Sequence, residues 1–75
     1  MNYAQMAKES ELEFSNEESY LTLTTSYGKE STWDSPYKLW FNGELHSYKT
    51  PKSFNNKMQY FIDKYQLEQV VNATN

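Results

Sequence analysis

His46, the only histidine, stands two residues from Glu44, so on a strand the imidazole and the carboxylate would share a face. Together they could supply two metal ligands. A protein metal site needs three or four, and no third donor sits at a diagnostic spacing. The chain has no cysteine, and no serine lies in a nucleophile-elbow context, so His46 lacks the partners for triad chemistry. Carboxylates recur as Glu9, Glu11 and Glu13 and again as Glu17 and Glu18. Acid–base work would require a pocket that shifts one of their pKa values, and a domain of this size rarely encloses one. On strands, alternate acids instead form a solvated edge that discourages pairing with other chains. With two glycines in total, no loop can cradle phosphate through its backbone. The expectation is a protein without catalysis, cofactor or metal.

What remains chemically conspicuous is aromatic content and charge distribution. Seven tyrosines, four phenylalanines and two tryptophans exceed what a core of 75 residues can bury in full. Such side chains stack on single-stranded bases, or they form rigid contact area for another protein. The first use normally needs a positive groove, for which Lys38, Lys49, Lys52, Lys57 and Lys64 are the candidates. Arginine, whose planar fork suits phosphate best, is absent, which argues against nucleic acid, duplex DNA above all, as a ligand. Residues 1–34 carry seven carboxylates against two lysines, a net of −5, and residues 35–75 carry a net of +2. An acidic half favours a basic protein surface and could occupy a site meant for nucleic acid. Trp33 lies in a connector, where its indole either folds back over the core or stands out as an anchor.

These residues are positioned by two secure elements. Asn42-Gly43 separates two strand-forming runs and predicts a type I′ hairpin, because both residues tolerate φ > 0. The register follows, with Phe41 opposite Glu44, Trp40 opposite Leu45 and Tyr37 opposite Tyr48. One face then holds Tyr37, Leu39, Phe41, His46 and Tyr48, and the other holds Trp40 and Leu45 beside Lys38 and Ser47. Thr50-Pro51 then opens a helix, with threonine as cap and proline at a position that needs no donor. Its apolar stripe is Phe54, Met58, Phe61, Ile62 and Tyr65, and the helix is expected to reach Glu68 or slightly beyond. Val70 and Val71 would pack at its end, and residues 72–75 would fray.

Upstream, residues 11–27 alternate as a second hairpin closed by the polar turn Asn16-Glu17-Glu18. Leu12 and Phe14 share one side, and Leu21, Leu23, Thr25 and Tyr27 another; Tyr20 starts the opposite face. Tyr3, Met6, Ala7 and Ser10 are spaced for a short N-terminal helix, loosely packed. The fold class is therefore α+β: one domain over residues 1–75, with a small antiparallel sheet of three to four strands and a C-terminal helix on one face.

One helix cannot cover both faces, so the Trp40–Leu45 side is left to the N-terminal segment, a second copy or a partner. The expected function is binding: a module that modulates or inhibits a larger protein through Trp33, Trp40, Leu45, Tyr20, Glu11, Glu13, Glu17 and Glu18. The alternatives are a single-stranded nucleic-acid binder and an assembly subunit of a homo-oligomer such as a homodimer. Small size, acidity and a Tyr- and Asn-rich, Arg-free composition suit an accessory protein of an AT-rich genome such as a phage's, directed at a host defence or nucleic-acid enzyme. The chain has no apolar run near the roughly 20 residues a membrane span needs and no charged-then-apolar leader. With no cysteine either, a cytoplasmic location is expected, the host's if a phage encodes it.

Overall fold

A computed structural model describes residues 2–28 and 34–70. Within them the chain runs α1 (Tyr3–Glu9), β1 (Glu13–Asn16), a 3-10 turn (Glu17–Ser19), β2 (Leu21–Tyr27), β3 (Tyr37–Phe41), β4 (Glu44–Tyr48), α2 (Pro51–Tyr65) and β5 (Glu68–Gln69). The strands form one antiparallel sheet in the order β4-β3-β2-β1-β5. The α+β class holds, with five strands in place of three to four.

The β3–β4 hairpin has the register expected from its turn, pairing Phe41 with Glu44, Trp40 with Leu45 and Tyr37 with Tyr48. Asn42 and Gly43 take φ of 50° and 86°, the two left-handed residues that a type I′ turn requires. Asn42 has a second task, since its Oδ1 accepts the Thr22 N–H at 2.9 Å and so ties the hairpin tip to β2.

Helix α2 begins as predicted, with Thr50 accepting the Ser53 N–H and Pro51 at the first position. It ends with the last residue of its apolar stripe, Tyr65, and not at Glu68 or beyond as expected. Gln66 turns left-handed at φ 53°, and the N–H groups of Gln66 and Leu67 both reach back to the Ile62 carbonyl. This closing arrangement usually uses glycine. The reversal frees Glu68 and Gln69 to pair with Ser15 and Phe14 as a fifth strand.

Phe54, Met58, Leu23 and Leu39 are fully buried between sheet and helices. The aromatic side chains interlock there, with ring centroids 5.3 Å apart for Tyr37–Phe54, 4.7 Å for Phe41–Phe61 and 6.1 Å for Tyr3–Phe14. Thr25 is a polar side chain in this core, and its Oγ1 accepts the Leu12 N–H at 3.0 Å.

The N-terminal helix exists and is seated on this same core, with Tyr3, Ala4 and Ala7 buried. The reason is width. Five strands at about 4.8 Å spacing make a sheet roughly 19 Å across, and a helix is only about 10–12 Å thick. α2 stacks over β3 and β4 through Phe54 and Phe61, and α1 lies beside it over β1 and β2. Polar contacts fix that seat: Asn55 Oδ1 accepts the Ala4 N–H at 2.7 Å, and Tyr3 donates its phenol to Gln59 Oε1 at 3.2 Å. Asn55 thereby satisfies an orphan donor in the first turn of α1 from another helix. Asn55→Ala is expected to cost about 1–2 kcal/mol, the usual loss for a helix cap. Hydrogen exchange should quicken in α1 and stay slow in the middle of α2.

Candidate functional site

Both helices occupy one side of the sheet, and strand alternation dictates what the other side presents. On β3 the odd residues Tyr37 and Leu39 are buried under the helices, so Lys38 and Trp40 face away. Cross-strand pairing then assembles a row that crosses the whole sheet. Leu45 pairs with Trp40, Trp40 with Thr24 and Thr24 with Glu13, and the Val70 N–H donates to the Glu13 carbonyl at 2.8 Å. Leu45 is 50% exposed and Val70 38%. On either side of this row the face is hydroxyl-rich, with Ser26 and Ser47 flanking Lys38 and with Thr22 opposite Ser15. The Lys38 ammonium donates to the Ser35 carbonyl at 2.7 Å and to Ser47 Oγ at 3.2 Å.

Carboxylates border the β1–β5 end of the row. Glu11 and Glu13 line a groove with Thr24, Trp40 and Val70. Glu17, Glu18 and Glu68 line the adjoining depression, again with Val70. The site is thus a shallow row along the centre of this face, apolar at Leu45 and Trp40, polar at Thr24 and Glu13, with Val70 and five acids at its β5 end.

Of the residues singled out from sequence, Trp40, Leu45, Glu11 and Glu13 come together on this face, and Glu17 and Glu18 adjoin it. Tyr20 is differently placed. β2 starts at Leu21, two residues later than the alternating run from Ser19 predicts, and Tyr20 instead closes the 3-10 turn in left-handed geometry at φ 56°. It is 89% exposed and stands beside Glu13, Thr22 and Val70 at the corner of the face. Such a conformation is costly for a tyrosine. The turn is held by Asn16, whose Oδ1 accepts the N–H groups of Glu18 and Ser19 and whose Nδ2 donates to the Tyr65 carbonyl at 2.9 Å. Trp33 lies outside the described residues.

Two members of the site were missed from sequence. Val70, expected to pack against the end of the helix, lies on the open face, and Glu68, expected to lie on the helix, joins the acids. Both positions depend on the turn at Gln66, which carries no glycine to announce it.

The remaining candidate chemistry lies on the helix side. His46 packs against Phe61 with centroids 5.9 Å apart, and its Nε2 is 3.2 Å from Glu44 Oε1. Among the described residues no group of three or more His, Asp or Glu side chains could hold a metal ion. Lys57 lies 4.8 Å from the centre of the Tyr60 ring, and Lys64 donates to the Tyr60 hydroxyl at 2.9 Å. That hydrogen bond, with the positive charge behind it, lowers the Tyr60 pKa and raises that of Lys64. Burial raises the phenol pKa of Tyr3 and Tyr48. Lys52, Lys57 and Lys64 therefore ride on α2, away from Trp40, and do not form a basic groove with it.

Fold and site together define a two-layer α+β domain in which, among the described residues, one sheet face carries no helix. No protein-family model, curated protein or solved structure matches the chain. Among the described residues no helix is long and apolar enough to cross a membrane.

Proposed function

We propose that this protein is a non-catalytic binding module that seats a larger protein on its open sheet face and modulates or inhibits it. The supporting observation is that both helices lie on one side, so that among the described residues nothing covers the row of Leu45, Trp40 and, beyond Thr24 and Glu13, Val70, with five carboxylates at its end. A tryptophan paired with a leucine suits a binding hot spot, where tryptophan is enriched, and charge beside it steers encounter and selects the partner. The complementary surface has an apolar centre and lysines or arginines to one side. A protein patch that ordinarily takes nucleic-acid phosphate has that character, so the composition-level link to a phage factor acting on a host defence or nucleic-acid enzyme keeps its place within this proposal.

The test is affinity capture with the wild-type chain, Trp40→Ala, and Glu11→Lys combined with Glu13→Lys, all run in parallel. The wild type should enrich one protein that both variants lose. Trp40→Ala should weaken that complex by about 30-fold or more, the roughly 2 kcal/mol that marks a hot spot. The thermal midpoint should barely move. Equal recovery by all three baits would refute the assignment of this face, and so would tight binding of an oligonucleotide in place of protein.

A further inference from the structure

The chemistry sought by the open face is present on the other side of the same molecule. Tyr60 is the large apolar side chain most exposed on the helix layer, at 46%. Two ammonium groups bracket it, Lys57 at 4.8 Å and Lys64 at 5.3 Å from the ring centre. An aromatic ring between two cations is the counterpart of an indole beside carboxylates. We infer that the protein associates with itself head to tail, with the Lys57–Tyr60–Lys64 cluster of one copy seated on the Trp40 face of the next beside Glu11 and Glu13.

Charge also decides against one symmetric alternative. Pairing two open faces about a two-fold axis that runs along the row would set Glu11, Glu13, Glu17, Glu18 and Glu68 against their own copies, whereas an axis across the row would bring them to the Leu45 end of the copy and would give a closed dimer, which the experiment below distinguishes. Like charges in contact destabilise the first arrangement, whereas the head-to-tail contact places opposite charges together. A contact between two different patches does not close on itself in a pair, so it propagates into chains or rings. Self-association and the proposed partner then compete for one face, and the assembled form would hold the protein inactive until a tighter ligand displaces the neighbouring copy. This last consequence rests on the function proposed above, but the self-association does not.

The experiment is the mass of the purified protein, by sedimentation or light scattering, against concentration at roughly 0.01 M and 1 M salt, where the screening length falls from about 30 Å to about 3 Å. At low salt the mass should climb with concentration without stopping at a dimer, and at high salt it should fall to one chain. Neutralising either patch, by Lys57→Gln with Lys64→Gln or by Glu11→Gln with Glu13→Gln, should give a monomer at both salts. All of these positions are on the surface, and unchanged melting curves would show that each variant folds. Mixed in equal amounts, the two double variants retain one intact patch each, so they should form a one-to-one dimer and nothing larger. A wild type that stays monomeric at low salt would overturn the inference, as would a fixed dimer indifferent to both pairs of substitutions. A monomeric wild type that still captures a protein through Trp40 would leave the proposed function standing.

Discussion

Phe54→Ala should lose about 3–5 kcal/mol of folding stability, the range for removing a buried aromatic ring without filling the space. Phe54 is fully buried, with its ring 5.3 Å from that of Tyr37 and 6.2 Å from that of Tyr48. It also sits next to Asn55, which accepts the Ala4 N–H of α1, so a collapse around the vacated volume would pull on the seat of the second helix. A domain of this length has a total stability of roughly 4–11 kcal/mol at the usual 0.05–0.15 kcal/mol per residue. The substitution therefore removes about a quarter of it at the least, and a large unfolded fraction is expected near the lower bound. Denaturant titration followed by circular dichroism measures the loss. Phe54→Leu separates packing from helix initiation: it keeps the helix start and much of the volume, so it should cost well below the alanine change. A loss under about 1 kcal/mol for the alanine variant would mean that the ring is not packed as described.

The parts of this fold that could be read from sequence are those fixed by neighbours in the chain. Asn42-Gly43 sets the β3–β4 register because a two-residue loop leaves no freedom in which residues face each other. Thr50-Pro51 sets the start of α2 for an equally local reason. The end of α2 was misjudged because Tyr65, Gln66 and Leu67 continue a helical pattern, and a left-handed glutamine has no sequence mark. Once the turn is there, Glu68 and Gln69 fall beside β1, but a two-residue strand is too short to show a period. Tyr20 was misplaced for a related reason. Its β-forming neighbours read as strand, while the Asn16 side chain gathers two backbone donors and extends the turn through it.

The open face was legible where it depends on alternation, as with Trp40 and Leu45. It was illegible where it depends on which strands are neighbours, as with Val70 and Glu68. That one helix shields one face is too simple a premise for the covering of this sheet. In this molecule one helix shields about half a face.

That geometry makes α1 indispensable, and deletion of residues 1–9 is the second large effect expected. Tyr3 stands edge-on to Phe14, and Ala4 and Ala7 are buried on the core beside it. Loss of the Tyr3 ring alone is in the range of about 3–5 kcal/mol, comparable with the whole stability of a marginal domain. The deletion further uncovers Phe14 and Leu12 on the helix side of β1 and β2 and leaves α2 without its lateral neighbour. The truncated chain should keep strand and helix signal in the far ultraviolet, lose the near-ultraviolet signal of its fixed aromatic rings, bind a hydrophobic dye and melt without a cooperative transition. A truncated chain that melts as sharply as the wild type, at the same midpoint, would show that α2 covers the sheet by itself. α1 would then be free to lie over Trp40 and Leu45, and the face assigned to a partner would be its own chain's. The deletion thus tests the premise on which the binding face depends, because that face stays uncovered only if both helices are needed on the other side.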